Sequence, residues 1–401
     1  MRIVIDGRYL DRRPSGIGSY VHALVTRLPV LAPDLEFRVW TGGVGRSEIS
    51  AKGLDWHLVP QEANGLMTLL APWLLDRLEP GDLFHAPANV LGFGLPCPSV
   101  VTVHDAMWIE RPAECQPKPI LRPISKNYFR IGIRNALRQA RRIVTVSHAS
   151  ARAIERVERA ASGKISVVHN GYDPQFEPPK SRTLARQKAS RVLGFNDDYL
   201  LVVGQNQPSK GHEVALQAFA VANVNRLRLV FVQRLCAGLG LVERVRALGL
   251  AERVRFVSQL EDDSFLSVLQ SASALLQPSL EEGFGLPALE AAACGCPVIA
   301  SDIAALREVL GDAATYADTG NVTAWRDAIE HHATGTGVAP VFRSKLQEQA
   351  GLFGWDRTAR ATLDVYRSVI ADMTHSLRNG RVQCSTPIAT RRISKIPAKS
   401  C

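Results

Sequence analysis

With 401 residues, 46% of them hydrophobic and 21% charged, the chain is too long for one ordinary core and reads as a globular protein of about two to three domains. No apolar run approaches the roughly 18 residues needed to span a bilayer. The formal net charge of +10 admits an anionic partner, but half of that excess lies from Asp372 onward, where six Lys and Arg residues face a single acid in a stretch with little hydrophobic pattern. That tail, 372–401, is expected to be disordered. The seven cysteines, at 97, 115, 236, 294, 296, 384 and 401, show no repeated metal-ligand spacing. They read as free thiols and suit a reducing cytoplasm.

Met1-Arg2-Ile3-Val4-Ile5-Asp6-Gly7 puts an acid and a glycine where a signal peptide needs apolar residues, so it reads as a first strand. Pro14 to Tyr20 follows as a glycine loop, with Gly16 and Gly18, and then Val21, Leu24, Val25 and Leu28 recur at helical spacing. The loop lacks the third glycine of a dinucleotide fingerprint. Residues 35–40 alternate as a second strand. Residues 66–75 form an apolar segment broken by Pro72, expected to be a core helix rather than a patch that dips into a membrane surface. Ser99 to Val103 is a β-branched strand ending in the polar pair His104-Asp105. No acid lies between Glu114 and Glu155, and within that span Lys126, Arg130, Arg134, Arg138 and Arg142 recur every four residues. This spacing predicts a basic ridge on one helix, suited to an anionic lipid surface.

Residues 143–147 and 165–168 give two more strands, and the prolines from Pro174 to Pro179 mark a linker. The alternation then starts again. Residues 200–203 lead into a loop ending Ser209-Lys210-Gly211, followed by a helical pattern. Strands are expected at 229–232, 254–257, 274–276 and 296–300, with Asp262-Asp263 as the N-cap of a helix. Two such series predict two doubly wound domains whose C-terminal strand ends face a shared ligand.

The most informative stretch is Pro278 to Glu290. Gly283 and Gly285 make a turn, Pro287 suits the first helical turn, and the free amides and dipole of the helix start favour an anion. Glu282 and Glu290 flank that turn. Acids beside an anion site suit a ligand that also carries hydroxyls, because an ionised carboxylate only accepts hydrogen bonds.

These residues resemble the family 4 retaining glycosyltransferases. The resemblance rests on Glu282-Gly283-Phe284-Gly285-Leu286-Pro287-Ala288-Leu289-Glu290, the family's E-x7-E element, and on its continuation to Ser301 and through Glu308 to Ala314. Gly16 to Tyr20, Val103-His104-Asp105, Val146-Ser147-His148, His169-Asn170-Gly171 and Trp355 to Tyr366 add to it. The resemblance implies the GT-B fold, two Rossmann-like α/β domains facing each other across a cleft. The expected boundaries are 1–180 for the acceptor-side domain, 181–355 for the nucleotide-sugar domain and 356–371 for a helix returning to the first domain.

By resemblance, Glu282 contacts the transferred sugar and Glu290 the ribose hydroxyls. Lys210 neutralises the leaving diphosphate with the amides of Gly283, Phe284, Gly285 and Leu286, His104 approaches the sugar, and Gly16 and Gly18 admit close backbone approach. Ser209 stands where the family often has Arg, and Arg234 is the expected substitute. The implied reaction retains configuration and uses neither metal nor cofactor. The pattern is nearest to bacterial mannosyltransferases of surface-polysaccharide synthesis, which makes GDP-mannose the expected donor and a lipid-linked or polysaccharide hydroxyl the acceptor. The implied location is the cytoplasm, at the inner face of the plasma membrane. An epimerase on the same fold and a non-catalytic nucleotide-sugar binder are the alternatives. No nucleic-acid-reading motif accompanies the charge.

Overall fold

The computed structural model describes residues 1–11, 15–43, 49, 53–115, 122–233, 240–258, 260–334 and 340–378. Two parallel sheets organise them. The first holds β1 (Arg2–Asp6), β2 (Glu36–Thr41), β3 (Leu54–Leu58), β4 (Leu83–Ala86), β5 (Ser99–Val103), β6 (Arg142–Thr145) and β7 (Ile165–Val167) in the order β3-β2-β1-β4-β5-β6-β7. The second holds β8 (Asp198–Val203), β9 (Leu227–Gln233), β10 (Val254–Ser258), β11 (Ala274–Gln277), β12 (Val298–Ser301) and β13 (Thr315–Ala317) in the order β10-β9-β8-β11-β12-β13.

Each sheet is apolar on both faces because helices cover both, so its strands read as continuous hydrophobic runs. In β1, Ile3 and Ile5 enter one core with Phe37, Val39 and Leu83, while Val4 enters the other with Trp40 and Phe84. In the second sheet, Leu201 and Leu275 face one core, and Leu200, Val202 and Leu276 the other. The strand order reverses between β1 and β4 and again between β8 and β11, the places where open α/β sheets leave a ligand crevice.

Helix Trp355–Arg378 packs on the first domain. Its Tyr366 hydroxyl lies 2.6 Å from His85 Nδ1 on β4, and Asp356 pairs with Arg27 at 2.6 Å. The helix runs seven residues past the expected end at 371, held there by Asp372, which pairs with both Arg141 and Arg142. The expected disordered tail otherwise lies outside the described residues.

Several other expectations change. Arg142 is not on the basic helix, which ends at Gln139; it opens β6 and is neutralised by Asp372. Arg138 remains helical and pairs with Glu158 at 2.7 Å. Residues 66–75 are not a core helix but a short surface helix, Leu66–Leu70, and a turn, Pro72–Leu74. Helix Asp262–Ser271 has Glu261 at its cap, and Asp262 and Asp263 sit in the first turn, where they oppose the dipole's positive end. Cys97, Cys294 and Cys296 are buried free thiols and Cys115 is half-buried. Cys236, Cys384 and Cys401 lie outside the described residues. Among the described residues no helix is long and apolar enough to cross a membrane.

Candidate active site

The two domains meet at Gly283. Its carbonyl accepts hydrogen bonds from Ser147 Oγ at 2.7 Å and Ser150 Oγ at 3.2 Å, and the Ser150 hydroxyl also reaches the His104 carbonyl at 2.9 Å. A Cβ at position 283 would stand 2.3 Å from the His104 carbonyl oxygen, so only glycine lets the loop after β11 rest on the end of β5. The loop then enters helix Leu286–Ala293 with Pro287 in its first turn.

Glu282 precedes that contact. Its Oε1 accepts from Lys210 Nζ at 2.7 Å, Gln277 Nε2 at 2.9 Å and Ser279 Oγ at 2.7 Å. Lys210 ends the turn Pro208–Lys210 after β8, and the Ser209 carbonyl accepts from the Leu280 amide at 2.8 Å, tying the lysine turn to the glutamate loop. Gly211 closes the turn at φ +64°, where a Cβ would stand 1.9 Å from the Pro278 oxygen. Ser209 itself is buried, so this position faces the protein interior. Lys210 and Glu282 thus sit on either side of the β8–β11 reversal, already paired.

His104 enters from the other domain. Its Nε2 lies 2.8 Å from the Pro87 carbonyl, which can only accept, so Nε2 carries the proton and Nδ1 keeps its lone pair. Burial lowers its pKa to about 4, leaving the ring neutral at pH 7. The ring meets Tyr20 edge-on with centroids 5.2 Å apart. Asp105, next along, has a raised pKa because burial outweighs its bond from the Met107 amide and the attraction of Lys210.

Glu290 lies half-buried in helix Leu286–Ala293 with no hydrogen-bond partner among the described residues. Burial, with repulsion from Asp173 and Asp262, raises its pKa to about 8. It therefore holds a proton at pH 7 until a donor group or a cation arrives. Gly16 opens helix Gly16–Leu31 in the first domain and is exposed, and a Cβ there would stand 3.1 Å from Leu286 Cδ1. Gly18 is buried, and its amide donates to the capping Ser15 Oγ at 3.0 Å. Phe284 is buried in the second domain's core. Arg234 lies outside the described residues.

Beside Glu282 opens a cavity of about 620 Å³, between Asp105, Arg111 and Arg152 of one domain and Glu281, Glu282 and Ile303 of the other. Neither Lys210 nor Glu290 lines it, so Glu282 stands between this space and the lysine. The arrangement offers an ordered carboxylate at the edge of this inter-domain space, a cation paired behind it, and a neutral imidazole at the neighbouring end of β5.

Three groups escaped the reading of the sequence. Gln277 and Ser279, both buried, hold Glu282 from behind; the only signal is two polar residues closing the apolar run of β11. Glu308, on helix Ala304–Leu310, reaches across to the first domain. Its carboxylate accepts from the His148 amide at 2.8 Å, the Ala149 amide at 3.1 Å and His169 Nε2 at 2.7 Å. Burial alone would raise its pKa, but these bonds outweigh it and hold the pKa below the usual value.

Comparison with known proteins follows the same division. Residues 14–176 match the family model of Glycosyltransferase Family 4, and residues 185–337 match that of Glycosyl transferases group 1. The D-inositol 3-phosphate glycosyltransferase of Mycobacterium leprae is 31% identical over 272 residues, covering 65% of this chain and 62% of that protein. The O-antigen chain mannosyltransferase RfbU of Salmonella typhimurium is 27% identical over 234 residues, covering 58% of this chain and 60% of that one. The chain thus spans less than two thirds of these relatives' length. Among solved structures, WaaG, a glycosyltransferase involved in lipopolysaccharide biosynthesis, superimposes with a TM-score of 0.70 over 91% of this chain and 99% of its own at 16% identity. Anabaena Alr3699/HepE in complex with UDP and glucose gives 0.68 at 17% identity, over 92% of this chain and 100% of that one. These likenesses establish the GT-B fold.

Proposed function

The chain belongs to glycosyltransferase family 4, and on that premise we propose that it transfers a hexosyl group from a nucleoside-diphosphate donor to a hydroxyl of a glycan or lipid-linked acceptor, with retention of configuration. One observation carries this reading. Glu282, paired with Lys210, lines the space between the domains, and the next residue, Gly283, rests against the backbone of His104 at the end of β5. A donor diphosphate entering there draws Lys210 toward itself. The cation, the amides of the Gly283–Leu286 turn and the start of helix Leu286–Ala293 stabilise the charge that grows as the diphosphate departs.

Losing Lys210 frees one lone pair of Glu282 Oε1, while Gln277 and Ser279 keep the carboxylate in place for a sugar hydroxyl. Glu290 receives the ribose diol, and His104 meets the sugar with its Nδ1 lone pair or its ring edge. The acceptor hydroxyl attacks the anomeric carbon on the face the diphosphate leaves, through an oxocarbenium-like transition state. Among the residues in place, Lys210 and the loop dipoles supply the charge that a divalent metal supplies in other sites.

GDP-mannose is the first donor to test, supported by the mannosyltransferase relative and by the sequence pattern. Lys126, Arg130 and Arg134 are turned to solvent and suit an anionic membrane surface at which a lipid-linked acceptor is met. Thermal-shift screening against GDP-, UDP- and dTDP-sugars tests the donor assignment, because a ligand that binds only the folded state raises the melting temperature by mass action. The reading expects a shift with one nucleotide family that is lost in Lys210→Ala. No shift with any nucleotide sugar would overturn it.

A further inference from the structure

Two neighbouring strands of the first domain each lead into a histidine. β6 and β7 run parallel, with Ile143 beside Ile165 and Thr145 beside Val167, so the residues just beyond their C-terminal ends come side by side. His148 opens the helix that follows β6, and His169 lies two residues after β7. Their rings meet with centroids 5.8 Å apart. Glu308 of the second domain completes the group. One ring nitrogen of each histidine and a carboxylate oxygen of Glu308 all lie within 4.8 Å of one another. Among the described residues no other His, Cys, Asp and Glu side chains gather in this way.

The trio is built as ligands are built. His148 is exposed and its ring makes no hydrogen bond among the described residues, and a neutral imidazole always keeps one nitrogen lone pair. The other two members are fixed from behind. The His148 and Ala149 amides hold the Glu308 carboxylate at 2.8 and 3.1 Å, and the Thr358 hydroxyl holds the His169 carbonyl at 2.7 Å. Phe353 meets the His169 ring edge-on, with centroids 5.4 Å apart. Outer contacts of this kind orient the ligands of a bound ion. Glu308 Oε1 already meets His169 Nε2 at 2.7 Å, and a tetrahedral zinc bound to both needs them about 3.3 Å apart, so a shift of roughly 0.6 Å admits the ion in place of the bridging hydrogen. That hydrogen moves to Nδ1 or to solvent.

We propose that His148, His169 and Glu308 bind a divalent transition-metal ion, zinc above all, that fastens the second domain to the first beside the Gly283 contact. Two imidazoles and a carboxylate suit zinc, nickel or copper, whereas magnesium and calcium prefer sites made of oxygen alone. Three protein ligands leave a fourth position for water, and the exposed His148 gives the ion a path from solvent. Two ligands come from one domain and the third from the other, so the ion reinforces the contact in which Ser147 Oγ holds the Gly283 carbonyl at 2.7 Å. Its binding favours, by mass action, the arrangement in which the domains touch. Neither Lys210 nor Glu282 belongs to the trio, so the inference does not rest on the transferase reading, and the ion takes no part in group transfer.

The experiment is calorimetric titration of zinc into the full chain after a chelator has removed bound metal, with magnesium titrated in parallel. One equivalent of zinc is expected to bind, to raise the melting temperature and to slow proteolysis in the linker 174–180, while magnesium does none of these. His148→Ala removes an exposed ring and keeps the backbone amide on Glu308, so its metal-free melting temperature is expected to match the wild type. Its zinc affinity, like that of His169→Ala and Glu308→Gln, is expected to fall by at least about tenfold. Thiols also take zinc, so cobalt is titrated as a spectroscopic probe. Its absorption is expected to lack a sulfur-to-cobalt charge-transfer band and to weaken in His148→Ala. Four results would each overturn the proposal: no zinc binding by the wild type; undiminished binding in any of the three variants, or a thiolate band with cobalt, which would move the ion to the cysteines; equal binding of magnesium; or zinc binding that leaves proteolysis of the linker unchanged.

Discussion

Glu290 and Lys210 show how much of the candidate site is poised by local electrostatics. Among the described residues Glu290 has no hydrogen-bond or ion-pair partner, and its pKa of about 8 stands above the ordinary 4.5 because burial penalises the charge. The sign follows directly. Between pH 4.5 and 8 the folded protein keeps a proton that the unfolded chain has released, so this group's contribution to stability is lost as pH rises through that window. A ribose diol that donates to Glu290 favours the ionised form, so donor binding at pH 7 should release a proton. Affinity should climb by up to about tenfold per pH unit below 8 and level off above it. Calorimetry in buffers of different ionisation enthalpy reads that proton, and Glu290→Gln should abolish it. The two acids and the glycine turn were legible in the sequence because their chemistry is local. The proton on Glu290 was not, because it depends on what the fold leaves out around it.

At the scale of elements, Glu308 and Tyr366 join parts of the chain that are far apart in sequence. Glu308 serves as an N-terminal cap for helix His148–Val157 although it belongs to the other domain, supplementing the Ser147 cap. Glu308→Ala should leave each domain folded but weaken their contact by about 0.5–2 kcal/mol. Faster proteolysis in the linker 174–180 and a larger radius of gyration would report it; an unchanged solution profile would argue that the contact holds nothing. Tyr366→Phe leaves His85 Nδ1 without its hydroxyl partner inside the first domain and should cost about 1–3 kcal/mol, measured by denaturant unfolding.

The same scale explains what the sequence concealed. β4 is four residues long and wholly buried, so it carries no period to recognise, and β3, LDWHL, alternates apolar and polar residues but is a five-residue edge strand with no fully buried position. Residues 66–75 carry apolar residues but no label for inside or outside. Spacing of four led from Arg138 to Arg142, whereas the helix had already ended at Gln139. The long β-branched runs of β5 and β6, and the Pro287 helix start, were legible because each is settled by its own few residues.

Across the whole molecule, the two domains are held in register at Gly283. A methyl group there would meet the backbone of His104 rather than a side chain that could move. Gly283→Ala should therefore displace one domain from the other and depress transfer strongly, measured by donor-dependent release of nucleoside diphosphate. Equal activity in Gly283→Ala would show that this close approach is not needed for turnover.

The central claim, that the Lys210–Glu282 pair drives glycosyl transfer, is tested most directly by donor-dependent release of nucleoside diphosphate in the presence of acceptor. The measurement compares wild type with Lys210→Ala and Glu282→Ala. Release should require acceptor and fall by about 10²–10³-fold or more in both variants, the size expected when a charge-stabilising group is removed. Full release in both variants, or conversion of the donor without any acceptor, would contradict it.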